Sequence, residues 1–168
     1  MEEPLTFDSA FESEFDYVCH TLRRFGVRDA DLEDVAQTVF LAVHQRFDQY
    51  DGSRPIRPWL AAFAVRGASN YRRTLRRRSE QLGSEVQTAL VDGRSAEAVV
   101  DQQRAVQQVL NQMDFDRRVV LVMFDVDGYS APEIAAALEL PLNTVYSRIR
   151  LARRDFRALG SRLFGVSP

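Results

Sequence analysis

Residues 129–164 read YSAPEIAAALELPLNTVYSRIRLARRDFRALGSRLF, and the rest of the chain takes its meaning from them. Ser130 followed by Glu133 is a capping box, in which a hydroxyl and a carboxylate satisfy backbone donors at a helix start. Pro132 suits the first turn, where its missing N–H costs nothing. Ile134, Ala135 and Leu138 then share one face. Pro141 is expected to stop this helix, because it pushes the residue before it out of helical geometry. Asn143 is expected to cap the next one. In that second helix Val145, Ile149, Ala152, Phe156, Leu159 and Leu163 recur at steps of four and three as one apolar stripe. Ser147, Arg150, Arg154 and Arg157 lie opposite, with Tyr146 and Arg153 on one flank and Arg148 on the other. A short helix, a tight turn and an arginine-faced second helix form the pattern of a DNA-binding helix-turn-helix. Its second helix would lie in the major groove, where Arg donates to guanine and Tyr or Ser reaches other base edges. A helical hairpin with a solvated basic face is the competing reading of this stretch alone.

The same residues resemble the region 4 signature of the extracytoplasmic-function (ECF) sigma factors. The resemblance is carried by Gly128, Ser130, Glu133-Ile134-Ala135, Pro141, Asn143-Thr144-Val145, Ser147-Arg148 and Ala152-Arg153. It implies recognition of a −35 promoter element by Thr144, Tyr146, Ser147, Arg148, Arg150, Arg153 and Arg154. Tyr146, Ser147 and Arg150 would read bases, and Arg148, Arg153 and Arg154 would hold phosphates.

Composition narrows the field around this motif. The net charge is −2 over 168 residues, but the charge is segregated. Residues 1–53 hold twelve acids and four Arg, whereas residues 54–78 hold eight Arg and no acid. Every basic residue apart from histidine is Arg, which suits bidentate phosphate and guanine contacts. Cys19 is the only cysteine, so neither an internal disulfide nor a thiolate metal cluster is available. It is expected to be a buried, inert thiol. The acidic start lacks the basic and apolar segments of a signal peptide. No apolar run approaches the ~20 residues of a membrane span, so the chain is read as cytoplasmic, without membrane insertion. His20 and His44 lack metal-ligand spacing, and no phosphate-binding glycine loop, G-x-S-x-G or H-E-x-x-H occurs. Neither enzymatic chemistry nor a cofactor is expected.

Upstream, Phe7, Phe11, Phe15, Val18, Leu22 and Phe25 predict a first helix with an aromatic buried stripe, ended by Gly26. A second helix is expected from Asp29 or Asp31, either of which can cap it. Its apolar side is Leu32, Val35, Ala36, Val39, Phe40, Val43 and Phe47, with Glu33, Asp34, Gln37, Thr38 and Leu41 outside. Residues 31–47, DLEDVAQTVFLAVHQRF, resemble region 2 of the same family, where such a run binds the clamp helices of RNA polymerase. The resemblance puts Asp34, Gln37 and Phe40 in that role. Asp34 and Gln37 share a face, and Phe40 is divided evenly between core and surface.

Residues 48–58 read as a loop by their Gly, Ser and Pro content. Trp59 is then expected to open a third helix, with Leu60, Phe63, Ala64 and Gly67 inward and Tyr71 near the same side. Arg66, Asn70, Arg73 and Arg77 step along one face. With Arg54 and Arg57 they suit a phosphate backbone beside stacking rings, the combination that holds single-stranded DNA. The family resemblance makes this the −10 surface, formed by Arg54, Arg57, Trp59, Arg66, Asn70 and Arg73, with a flipped-base pocket in residues 50–57. Arg66 and Asn70 depart from the family's usual Asn and Asp, so the preferred −10 bases do not follow.

Residues 79–98 are polar and weakly periodic, a connector with a short helix at 86–91 as a further expectation. As a coil it would span ~25 Å, and fully extended up to ~70 Å. A fourth helix is predicted over 96–113, and a fifth from Asp114 or Asp116. Residues 118–126, RVVLVMFDV, fit a buried strand as well by periodicity; helix is preferred because a lone strand has no partner. The fold class is therefore all-α. Two small helical domains are expected, residues 1–78 and 99–168, joined by a flexible linker over 79–98.

By resemblance this is a sigma factor that joins core RNA polymerase at its clamp helices and flap and directs initiation at promoter DNA. An anti-sigma factor, which in this family covers the same surfaces and can hold the chain at the membrane, is implied. Two other classes compete. One is a helix-turn-helix regulator that acts without polymerase. The other is a helical scaffold or enzyme, which would show no salt-dependent DNA affinity.

Overall fold

A computed structural model describes residues 5–82 and 98–165. The described residues form α-helices joined by short turns, without strands. The first helix, α1 (Phe7–Arg24), ends where Gly26 takes a φ of +95°. Its stripe is buried from Val18 through Leu22 to Phe25, whereas Phe7, Phe11 and Phe15 are partly exposed. A single 3-10 turn, Asp29–Asp31, leads into α2 (Leu32–His44). Neither aspartate caps α2 as expected. Arg23 holds the Asp29 carboxylate at 2.6 Å, and Asp31 accepts from the Tyr71 hydroxyl and lies 3.3 Å from Arg28.

The third helix, α3 (Ile56–Leu82), starts earlier than Trp59 because Pro58 falls in its first turn, where proline is tolerated. It also runs on past Arg78, so residues 79–82 of the expected connector are helical. The rest of that connector, including the helix expected at 86–91, lies outside the described residues. Three helices pack pairwise around Leu22, Ala36, Val39, Val43, Leu60 and Ala64. Gly67 is the point of closest approach: a Cβ there would lie 2.5 Å from Val39 Cγ2 of α2.

In the second half α4 (Ala98–Gln112) is followed by α5 (Phe115–Leu121), capped by the Asp114 carboxylate on the Arg117 amide at 3.2 Å. The apolar run continues as one π-helical turn, Val122–Val126, so helix prevails over strand. Ser130 and Glu133 form the expected capping box of α6 (Ala131–Leu138). Glu139, not Pro141, ends that helix, by adopting a left-handed φ of 55° while the Leu140 amide returns to the Ala135 carbonyl at 2.9 Å. Asn143 is not a cap either. Pro141, already extended, stands at that position, and its carbonyl accepts from Thr144 and Val145, which places Asn143 inside the first turn of α7 (Leu142–Phe164). Val145, Ile149 and Ala152 are buried against α5 and α6.

The two halves touch. α3 packs on α6 and α1 on α4, and the buried side chains of both halves form one connected cluster.

Candidate nucleic-acid and protein interfaces

Three surfaces carry the residues singled out by sequence. The first is the outer side of α2, where Glu33, Asp34, Gln37, Thr38 and Leu41 are all exposed. Leu41 is 66% exposed, an apolar side chain amid polar ones and the clearest sign of a contact surface here. Its place four residues after Gln37 could have marked it from sequence. Phe40 resolves to the core reading: it is 2% exposed, with its ring 4.9 Å from Phe11 and 5.8 Å from Phe15. It supports the Asp34–Gln37 face from beneath.

The second surface is the start and outer side of α3. Tyr50, Phe47, Phe63 and Trp59 form a ring cluster, with Tyr50 and Trp59 at 5.2 Å between centroids. Arg54 and Arg57 flank it. Arg54 pairs with Asp51 at 3.2 Å, and Asp51 also accepts from the amide and hydroxyl of Ser53, which hold its carboxyl below the usual range. Arg57 donates to Glu14 at 2.8 Å and lies 5.0 Å above the Tyr17 ring; that carboxylate raises its pKa. Arg66, Asn70 and Arg73 are exposed along one line. Arg73 donates to Asn70 at 2.8 Å, so the amide orients the guanidinium. Arg66 is 3.3 Å from Glu139 of the other half.

The third surface is α7. Tyr146 is 53% exposed, and Ser147 and Arg150 are exposed beside it. Thr144 is half-buried at the helix start. Among the described residues no hydrogen bond or ion pair engages Tyr146, Ser147 or Arg150, so these three are free to meet a ligand. The arginines around them are held. Arg148 donates to Asp116 at 2.8 Å, Arg153 grips Asp125 and lies 5.1 Å from the Phe124 ring, and Arg154 is 3.2 Å from Asp155. Asp125 raises the pKa of Arg153, and Arg117 depresses that of Asp155. Sequence reading named the arginines but not the carboxylates that orient them, because Asp116 and Asp125 lie far from them along the chain.

The geometry is thus a polar face with one exposed leucine on α2, an arginine–aromatic face on α3 and an exposed Tyr146–Ser147–Arg150 edge on α7. Among the described residues, no group of His, Cys, Asp and Glu is arranged to hold a metal, and no helix is long and apolar enough to cross a membrane. Cys19 is partly buried rather than buried as expected, and burial, with Asp16 adding to it, raises its thiol pKa.

Comparison with known proteins bears on the same segments. Residues 10–78 match the Sigma-70 region 2 family and residues 103–156 the Sigma-70, region 4 family. The RNA polymerase sigma factor CnrH of Cupriavidus metallidurans is 33% identical over 150 residues, covering 82% of this chain and 77% of CnrH. The ECF RNA polymerase sigma-E factor of Escherichia coli is 30% identical over 138 residues, covering 76% of this chain and 72% of that protein. The fold is similar to that of CnrH solved in complex with the cytosolic domain of CnrY, with a TM-score of 0.65 at 26% identity, covering 91% of this chain and 86% of that one.

Proposed function

The chain belongs to the extracytoplasmic-function group of RNA polymerase sigma factors, and from that membership we propose how its surfaces divide the work of promoter recognition. Asp34 and Gln37 on α2, with Leu41 beside them, dock on the clamp helices of core polymerase, while the second half meets the flap. α3 takes the −10 element. Arg54, Arg57, Arg66 and Arg73 hold the backbone of the displaced strand, and Tyr50 and Trp59 offer a stacking surface to an unpaired base. Pulling a base from the duplex costs a few kcal/mol, and stacking returns about 1–3 kcal/mol per base, which offsets most of that cost, with the backbone contacts of the arginines adding to it. α7 enters the major groove at −35, with Tyr146, Ser147 and Arg150 at base edges and Arg148, Arg153 and Arg154 on phosphates.

The proposed division assigns residues 1–78 and 99–168 to the two functions, with α3 extending to Leu82 and α4 starting at Ala98. The protein performs no covalent chemistry of its own and works in the bacterial cytoplasm. An anti-sigma partner fits the same exposed faces and can retain the chain at a membrane; the similar protein CnrH is solved in complex with the cytosolic domain of CnrY. The observation that carries the proposal is the α2–α3 pair, which presents a polar docking face and an arginine–aromatic face from one rigid core. A helix-turn-helix regulator acting alone would have no use for the first of these.

Transcription in vitro with purified core polymerase and a promoter library tests the proposal. Sequence-dependent initiation is expected with the chain present. Asp34→Arg, at an exposed position, is expected to abolish polymerase binding with helix content unchanged. Initiation that survives this reversal would reject the docking assignment.

A further inference from the structure

The exposed line of α3 is Arg66, Asn70, Arg73 and Arg77, and Asn70 is its uncharged member. The arginines suit phosphates, and phosphates carry no sequence information. Asn70 is therefore the side chain of this line fitted to a base edge. The chain departs from its family at this position, so any preference must come from its own geometry.

The Asn70 amide is held one way round. Arg73 Nη2 donates to Asn70 Oδ1 at 2.8 Å. A guanidinium has donors and no acceptor, so it can bind only the oxygen end of the amide. Turning the amide over would set donor against donor. The oxygen is thus engaged, and the NH2 group is the end presented to a ligand. Residues 54–78 contain no carboxylate that could take it from the same stretch of chain. Glu139, which reaches this face from the end of α6, pairs with Arg66 instead. Ser69 and Thr74 are exposed nearby, but a hydroxyl rotates to donate or to accept and does not discriminate between the two.

The helix beneath Asn70 is fixed on its other sides. The Tyr71 hydroxyl donates to Asp31 and accepts from Arg28 at 2.9 Å. Ala68 is fully buried, and Gly67 lets α3 rest against Val39. A reader on so rigid an element keeps its place and its orientation.

A fixed amino donor sorts bases by their exocyclic group. Thymine and guanine carry an oxygen there, O4 or O6, which accepts. Cytosine and adenine carry an amino group, N4 or N6, which donates. Set against Asn70, an amino base leaves donor facing donor, and a donor shut off from water without a partner is costly. The same exocyclic group is displayed in the major groove and on the pairing edge, so the sorting holds for a stacked base and for an unpaired one.

We propose that Asn70 is a specificity-determining residue of the −10 surface, held by Arg73 so that its amide donates, and that it selects a keto base (thymine or guanine) over an amino base (adenine or cytosine). The selection rests on α3 being the −10 surface. Arg73 is the positioning residue that sets its sense.

The test uses the full chain with core polymerase and a promoter library randomised over the −10 element, read by barcoded transcripts. Wild type should favour keto over amino bases about fivefold or more at one position of the displaced strand. Asn70→Asp presents an acceptor while Arg73 still holds the other oxygen, so preference at that position should reverse to adenine or cytosine. Asn70→Ala should level it. Arg73→Met frees the amide to turn over and should level it too, whereas Arg73→Lys, again a pure donor, should restore it. An Arg73 that only holds phosphate would instead weaken every promoter alike. Both side chains are exposed, so the variants are expected to keep their helix content and cooperative melting, checked by circular dichroism. A −10 preference that is the same in wild type, Asn70→Asp and Asn70→Ala would overturn the assignment of Asn70. A preference that moves with Asn70 but not with Arg73→Met would overturn the orienting role of Arg73. Wild type that initiates on no promoter would reject the sigma reading itself, an outcome distinct from initiation with an unmoved preference.

Discussion

Arg118 donates to the carbonyl of Phe25, 93 residues away along the chain, at 2.9 Å. The approach depends on Gly26. A Cβ on that glycine would lie 2.3 Å from the same guanidinium nitrogen, and its φ of +95° disfavours any side chain. Arg118 also donates to the Asn111 and Met113 carbonyls, at 2.9 and 3.2 Å, so one buried side chain serves carbonyls from both halves. Burial pulls its pKa down to about 10, with Arg72 adding to the effect.

Arg118→Met is expected to lower stability by about 2–3 kcal/mol, the range for losing hydrogen bonds made by a charged donor. Gly26→Ala should also destabilise, by left-handed strain of about 1 kcal/mol plus the displacement of Arg118. Thermal or urea unfolding monitored by circular dichroism measures both. If Arg118→Met were neutral, the cost of burying the charge would equal the value of its three bonds.

A second prediction concerns pH. Burial raises the Asp127 carboxyl above its ordinary 3.8, and Arg24 and Arg57 only partly oppose this. A group whose folded pKa is raised binds its proton more tightly in the folded state. Its contribution is therefore complete below the unfolded value and is lost as pH rises through the folded one. Asp127→Asn should remove this component, so the stability difference between variant and wild type should change as pH rises above the ordinary 3.8, the variant gaining ground. At the alkaline end Tyr17, pushed up to about 12 by burial and Asp127, works in the same sense above pH 10. A pH-independent difference would show that Asp127 keeps an ordinary affinity for its proton.

The third prediction separates base readers from phosphate holders. Arg150 is exposed and unpaired among the described residues, whereas Arg148 is held by Asp116. Arg150→Ala should shift −35 preference and cost about 1–3 kcal/mol at the base it reads. Arg148→Ala should weaken all promoters alike and lower the salt slope by about 1. Promoter-library competition at two salt concentrations distinguishes these outcomes. Equal loss on every sequence for Arg150→Ala would move it to the phosphate group.

The capping box supplies the fourth. Ser130→Ala should cost about 1 kcal/mol. Glu133, kept below its usual pKa by the Ser130 hydroxyl and amide, contributes stability above pH 4.5 that fades as pH falls through its folded value. The Ser130→Ala deficit measured by thermal melting should therefore shrink in acid. A deficit that stays constant would leave the hydroxyl without a role in holding Glu133.

Much of this architecture could be read from residue spacing, and the exceptions share causes. The capping box and the α7 stripe rest on contacts three or four residues apart; the box stands, and so does the stripe from Val145 to Leu159, whereas Leu163 at its end is 37% exposed. Asn143 has a cap residue's chemistry but not its place, because Glu139 takes the turn and Pro141 itself is the helix boundary. Residues 118–126 were ambiguous because β-branched runs fit strand and buried helix alike. Phe40 fits either side of α2 by spacing, and only the rings of Phe11 and Phe15 assign it to the core. The contact between the two halves left no periodic signature at all. Tyr17, Arg24 and Arg118 look like boundary residues in their own helices, and their partners lie about a hundred positions away.

Gly67 sets one last relationship. With no side chain there, α2 and α3 lie as close as backbones allow, Val39 filling the space a methyl would need. The exposed polar side of α2 and the arginine-bearing side of α3 are thus carried by two helices that touch at this point. A shim as small as one carbon would push the two helices apart, so the spacing between the two exposed faces is gauged by an absent atom.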